Sequence, residues 1–297
     1  MVKDSHFRLL LDELSQSHNL RKSIYKDIEK SLGKNKRVVS LFTSFKYPVI
    51  LEDADADMME EVLRNTDLDN KELVLILNCP GGDGLAAERI VNLCRSYSPT
   101  GFSVIVPKMA KSAATMLCLG ANEIIMSATS ELGPIDPQIL IRDDKGNPLK
   151  YQPAHEIVGS YEELLMLANT TTGQLAPYLQ QLARYDARDI RNIKSAQRLS
   201  EDVAVNLLKS GLFKKLTTNQ IKTKIKALVD PSKTISHGRP LFHDAVKKCG
   251  LNVRLEKSNS QLWNGVWNLY LRLNNLTNSS AAKVLESADE SYIMSVP

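Results

Sequence analysis

The sequence predicts an α/β fold with a mostly parallel sheet, and three observations carry that prediction. First, Leu73–Leu77, Phe102–Val106 and Glu123–Met126 are short strand-like runs, the first two almost wholly apolar. Such runs mark strands buried on both faces of a sheet. Second, helix-patterned stretches, Leu85–Tyr97 and Ser112–Gly120, separate them. This alternation implies right-handed crossovers, with helices on both faces. Third, Asn78-Cys79-Pro80-Gly81-Gly82, Lys111-Ser112-Ala113-Ala114 and Gly133-Pro134-Ile135-Asp136-Pro137 fall just past strand ends. Folds of this kind place their sites there.

The other elements follow in order. Residues 7–33 show helical spacing through Phe7, Leu10, Leu11, Leu14, Ile24, Ile28 and Leu32, and Gly33 and Asn35 end the helix. Val38–Phe42 is a strand candidate, and residues 54–64 place Met58, Met59, Val62 and Leu63 on one helical face. Asp143–Pro148 reads as a polar turn, and residues 154–194 read as mainly helical. Ser200 is expected to cap a short helix that ends at Gly211. Residues 228–237 read as a linker, 241–250 as a short helix and Leu251–Leu255 as a strand. From Ser258 to Ser279, Leu262, Trp263, Val266, Trp267, Tyr270, Leu271 and Leu273 recur at helical spacing, the pattern of a docked amphipathic helix. The expected organisation is a helical N-terminal extension over 1–36, one catalytic-type domain over 37–257, and a C-terminal amphipathic helix and tail over 258–297.

Composition narrows the class. The 297 residues are 43% hydrophobic, enough for a sizeable core, and the net charge of +4 is spread among nearly as many acids as bases. No basic stripe suggests nucleic acid. Cys79, Cys94, Cys118 and Cys249 form no CxxC pair and read as reduced thiols of a cytoplasmic protein. The N-terminus lacks an apolar signal region, and no run is long enough to span a bilayer. Asp53-Ala54-Asp55-Ala56-Asp57 resembles an oxygen-ligand site but lacks the glycine and distal glutamate of a calcium loop. Acidic residues opening a helix explain it better, so no metal is expected.

Two segments carry chemistry. Gly81 and Gly82 follow a buried strand and open a helix, so their backbone N–H groups can approach developing negative charge, as in an oxyanion hole. Ser112 follows a strand and begins a helix among Ala110, Ala113 and Ala114, which leave room for a substrate. It is the candidate nucleophile, with the Ala113 N–H as a further oxyanion donor.

Val106–Thr115, with Gly133–Gln138 downstream and Tyr47–Asp57 and Asn78–Ile90 upstream, resembles the serine dehydrogenase proteinase family. That family belongs to the superfamily of Clp protease and signal peptide peptidase A. The resemblance spans roughly residues 40–255 and is strongest over 72–139. It implies the ClpP/crotonase fold, with repeated ββα units, a spiral-like sheet and self-association. It also implies a serine peptidase with a Ser–Lys or Ser–His pair and no metal or cofactor. Two positions depart from the pattern: Lys111 stands where a methionine is usual, and Ala114 where a glycine is usual.

The general base is left between two residues. Related Ser–Lys peptidases place the lysine some forty to fifty residues after the serine, and here that window holds His155. Lys194 is the alternative and would need burial to lower its pKa. Asp136 is placed either to orient a base or to form the turn between its two prolines. A peptide substrate is expected to lie beside Gly133, Pro134, Ile135 and Asp136 by strand addition. The reading is therefore a cytoplasmic, self-associating serine endopeptidase acting on peptides or proteins. The alternative is a catalytically inactive relative that binds peptides or proteins, favoured by Lys111, Ala114 and the lack of a lysine in the usual window. A crotonase-type acyl-CoA enzyme is the third reading, since that fold also uses backbone oxyanion donors. His237-Gly238-Arg239-Pro240 and His243 read as a structural turn.

Overall fold

The computed structural model describes residues 18–142, 148–229 and 238–296. Chain order begins α1 (His18–Leu32), β1 (Lys36–Thr43), α2 (Asp53–Arg64), β2 (Glu72–Asn78), α3 (Gly84–Tyr97), β3 (Phe102–Val106) and β4 (Met109–Ala110). It continues α4 (Ala113–Gly120), β5 (Glu123–Met126), β6 (Glu131–Leu132), β7 (Gln138–Arg142), β8 (Pro148–Pro153), α5 (Ala154–Thr170), α6 (Ala176–Leu182) and α7 (Ala187–Lys209). It closes with α8 (Thr218–Lys224), α9 (Lys226–Val229), α10 (His243–Lys248), β9 (Val253–Leu255), α11 (Gln261–Ser279), β10 (Ala281–Ser287) and β11 (Ser291–Ser295).

Seven strands form the main sheet in the order β11-β10-β1-β2-β3-β5-β9. The run from β1 to β9 is parallel, and β10 and β11 add antiparallel at one edge. The apolar runs are continuous because each strand serves two cores. Leu73, Leu75 and Leu77 face one cluster with Met59, Ile90 and Leu208 from α2, α3 and α7. Val74 and Ile76, the alternate residues of the same strand, face a second cluster with Ile28, Trp263 and Tyr270 from α1 and α11. Period-two alternation is therefore present but hidden, since both faces are apolar.

A second layer grows from the C-terminal ends of the central strands. Cys79 bridges Ala110, β4 pairs with β6, and Leu132 pairs with Leu241. The hairpin β7–β8 leads into α5, whose start is fixed by the Ala154 N–H donating to the Pro137 carbonyl at 2.9 Å.

Two expectations change. The helix expected to begin at Ser200 begins instead at Ala187 and runs through to Lys209 without a break. Asp186 caps it, accepting from the Arg188 N–H at 2.7 Å, and Ser200 sits mid-helix with its hydroxyl donating to the Ile135 carbonyl at 2.5 Å. The residues after α11 form β10 and β11 rather than a tail. The pattern hid β10 because Lys283 and Glu286 point inward, each neutralised there. Arg21 of α1 grips Glu286 with Nε–Oε1 at 2.7 Å and Nη2–Oε2 at 2.5 Å, both side chains almost fully buried. The Trp263, Trp267 and Tyr270 stripe is packed against α1 and the sheet, with Trp267 stacked on Tyr270 at 4.8 Å between centroids. The segment 1–17, most of the 143–148 turn, the 230–237 stretch and His237 lie outside the described residues. Among the described residues no helix is long and apolar enough to cross a membrane.

Candidate active site

Ser112 occupies the turn between β4 and α4 with φ 50° and ψ −120°. A non-glycine residue pays strain for such a backbone, and strain of this kind clusters at functional sites. The surroundings impose it. The Lys111 N–H donates to the Cys79 carbonyl at 3.0 Å, which holds the incoming chain to the end of β2. All eight residues of α4 are buried, which fixes the outgoing chain. The Ser112 carbonyl accepts the Thr115 N–H at 2.8 Å, but the Ser112 hydroxyl caps nothing. The side chain is half-buried and makes no hydrogen bond with any described residue.

The glycine loop lies against this turn. Gly81 has φ 105°, and a Cβ there would fall 2.7 Å from Ser112 Cβ and 3.2 Å from the Ala113 nitrogen. Gly82 has φ 153° and is clamped by Leu51, whose N–H donates to the Gly81 carbonyl and whose carbonyl accepts the Asp83 N–H, each at 2.8 Å. In this parallel pattern the residue between the two bonded ones, Gly82, turns its own N–H away from the Leu51 segment. No hydrogen bond among the described residues uses the Gly82 or Ala113 N–H. The Gly81 N–H was expected as a third oxyanion donor, but it donates to Cys79 Sγ at 3.4 Å. Burial pushes that thiol up to about 11, so Cys79 stays a neutral acceptor.

The base candidates are placed differently. His155 opens α5, and its Nδ1 stands 3.6 Å from Asp136 Oδ2, too long for a hydrogen bond. Asp136 is almost fully buried, and Gln138 Nε2 donates to it at 3.2 Å. Lys194 is partly exposed on α7, held by Glu162 at 2.5 Å. Neither His155 nor Lys194 bonds the Ser112 hydroxyl. Lys111 points away from Ser112: its Nζ lies 2.5 Å from Glu131 Oε1, and its stem fills the space that a Cβ on Gly133 would take.

Residues 133–136 do not offer the pairing edge that was expected. The Gly133 N–H goes to the Ala110 carbonyl at 3.0 Å, and its carbonyl faces the Thr115 hydroxyl at 2.9 Å. The Ile135 N–H goes to the Leu228 carbonyl at 2.9 Å, and its carbonyl to Ser200. Pro134 has no N–H to give, so a peptide cannot add here without displacing the chain itself. Sequence reasoning missed Thr115. Its hydroxyl also faces the Ala110 carbonyl at 2.9 Å and so ties both flanks of the Ser112 turn together. The polar residue three places after the serine, inside an otherwise apolar helix, was the available signal.

The acidic run that opens α2 has ordinary partners. Asp53 and Asp57 both pair with Arg89, and Asp55 is buried against Lys283. His243 lies beside Asp244 at 3.1 Å.

Several known proteins are similar to this chain. Two uncharacterised proteins of Methanocaldococcus jannaschii are 40% and 38% identical over 82 residues. Each match covers 27% of this chain and only 28% of the relative's own length. Two solved structures of the 1510-N membrane-bound stomatin-specific protease are also similar. The serine-to-alanine variant is 19% identical over 47% of this chain and 67% of its own, with a TM-score of 0.32. The lysine-to-alanine variant in complex with a substrate peptide is 16% identical over 75% and 93%, with a TM-score of 0.30. Residues 43–145, which carry the glycine loop, the Ser112 turn and the Gly133–Pro137 segment, match the family described as ClpP-like SDH-type serine proteinase.

Proposed function

We propose that the chain is a serine endopeptidase whose nucleophile is Ser112. The observation that carries this reading is the strained, unbonded Ser112 beside two unused backbone N–H groups. In the proposed reaction, Ser112 Oγ attacks the peptide carbonyl carbon and its proton passes to the base. The carbonyl oxygen takes the negative charge between the Gly82 and Ala113 N–H groups. The intermediate collapses to an acyl-enzyme, and the base returns the proton to the leaving amine. Water, deprotonated by the same base, then releases the acid. Alanine at 114 adds no obstacle on the substrate side, since Ala114 is fully buried within α4.

His155 is the better candidate for the base. It has a buried carboxylate, Asp136, within 3.6 Å to orient it, whereas Lys194 is neutralised by Glu162 near the surface. For this role His155 must move onto Ser112 when substrate binds, as catalytic contacts often tighten only in the complex. The peptide would then add to the outer edge of β7, which pairs only with β8 among the described residues. Beside that strand lies a cleft of about 890 Å³ lined by Ile139, Ile157, Ile190 and Ile193, suited to an apolar side chain. Exposed Leu165, Met166 and Leu179 on α5 and α6 support self-association through this face. Four buried free thiols support a reducing, cytoplasmic setting.

The second reading, a peptide-binding relative without activity, is favoured by one observation: among the described residues no base bonds the Ser112 hydroxyl. A fluorophosphonate probe and a fluorogenic peptide set separate the two. The peptidase reading requires labelling and turnover by the wild type and neither by Ser112→Ala. Peptide binding without labelling would establish the second reading instead.

A further inference from the structure

The oxyanion loop is tied to the C-terminal hairpin through a buried lysine. Lys283 stands on β10, 1% exposed, outside the 43–145 segment that matches the family. Its Nζ donates to Asp55 Oδ2 at 2.9 Å and to Glu52 Oε1 at 2.7 Å. The same Asp55 oxygen accepts the Glu52 N–H at 2.7 Å. Glu52 follows Leu51, and Leu51 holds both the Gly81 carbonyl and the Asp83 N–H, each at 2.8 Å. Gly82 has no freedom in that grip, since even a Cβ would fall 2.2 Å from the Leu51 carbonyl oxygen. Hydrogen bonds and one peptide link therefore lead from Lys283 to the backbone on both sides of Gly82.

Charge is a costly way to fill such a place. Apolar residues of similar volume usually stabilise a core as well as a buried ion pair does, whereas an ion pair with shared hydrogen bonds fixes one geometry. We propose that Lys283 is a positioning residue for the oxyanion hole, fixing Leu51 and so aiming the Gly82 N–H. The kinetic consequence rests on the peptidase reading above, and the geometric one does not.

Two full-length variants test this. Lys283→Met cuts the tie but leaves Asp55 charged and buried. Lys283→Met with Asp55→Asn cuts the tie without that charge and keeps an acceptor for the Glu52 N–H, so it supplies the readings if the single variant does not fold. Two quantities are read: amide hydrogen exchange, and the rate and affinity with which a peptidyl phosphonate labels Ser112. Exchange at Leu51 and Asp83 is expected to speed up at least tenfold while the β2 amides of Leu73–Leu77 stay protected. The maximal labelling rate is expected to fall about tenfold or more, with affinity changed less than about threefold, since only an interaction with developing charge is lost. A folded double variant with Leu51 and Asp83 as protected as in the wild type would overturn the proposal. So would a loss of affinity at an unchanged labelling rate. A wild type that the phosphonate never labels would refute the peptidase reading instead, and the exchange result would then decide the positioning alone.

Discussion

Gly81 and Ser112 share a single van der Waals space: a side chain on the glycine would stand 2.7 Å from Ser112 Cβ and 2.5 Å from the Lys111 carbonyl oxygen. Two turns from different strand ends are thereby packed backbone to backbone. Gly81→Ala must push these turns apart and must also hold φ 105° with a Cβ. It is expected to cost about 1–3 kcal/mol of stability and at least about a hundredfold in turnover. Thermal unfolding and phosphonate labelling check the two effects separately.

Ser112→Gly is expected to stabilise the protein while abolishing cleavage. The strain of φ 50° at a non-glycine residue is worth about 1–3 kcal/mol. Glycine removes it, at a cost of about 0.5–1 kcal/mol in unfolded-chain entropy. The balance favours glycine by about 1 kcal/mol. Ser112→Ala keeps the strain and should give no such gain. Comparing the melting temperatures of the two inactive variants decides the point, and an equal or lower value for the glycine variant would remove the claim of strain.

How much of this was legible in the sequence differs between the sheet and the site. The strands at 73–77 and 102–106 were readable because burial on both faces leaves an unbroken apolar run. The Ser112 turn was readable because small residues and glycines cluster at a strand end. β10 was not, because its Lys283 and Glu286 find their partners 228 and 265 residues away, in Asp55 and Arg21. Local pattern holds no trace of such pairing. The diversion of the Gly81 N–H to Cys79 was equally invisible, since it depends on the turn's dihedral angles rather than on residue types. The closure of Ile135 by Leu228 and Ser200, and of Leu132 by Leu241, depends on chain that returns from far downstream.

Arg21→Met is expected to destabilise the fold by about 3–5 kcal/mol, because it leaves Glu286 buried without its cation. Ser291 still donates to Glu286 Oε2 at 2.7 Å, but one hydroxyl does not replace a two-point guanidinium grip. Replacing both partners, Arg21→Met with Glu286→Leu, should recover most of that loss. Urea unfolding of the three proteins measures it, and a single variant as stable as the wild type would show that the pair contributes nothing.

Stability should fall in alkaline solution as the buried thiols are drawn toward ionisation. Burial pushes Cys79 from its ordinary 9.0 up to about 11, and Cys94 up to about 12. The folded state therefore holds these protons more tightly than the unfolded chain does. The stability this provides is fully present below pH 9.0 and is lost as pH rises from there through about 11. Cys79→Ala with Cys94→Ala should flatten that part of the pH–stability curve. Denaturant midpoints between pH 8 and 11 provide the check, and identical slopes in the two proteins would contradict it.

The choice of base comes down to two substitutions with opposite expected outcomes. His155→Gln removes the imidazole beside Asp136 without altering the Ser112 turn, and should lower turnover by about a hundredfold or more, the usual share of general-base catalysis. Asp136→Asn leaves the imidazole but weakens its orientation, and should cost less than His155→Gln. Lys194→Met breaks only a partly exposed pair with Glu162, worth about 0–1 kcal/mol, and should leave turnover unchanged. Peptide hydrolysis by the three variants, each first shown to unfold at the wild-type temperature, orders them. Full activity in His155→Gln with loss in Lys194→Met would reverse the assignment and make the lysine the proton carrier.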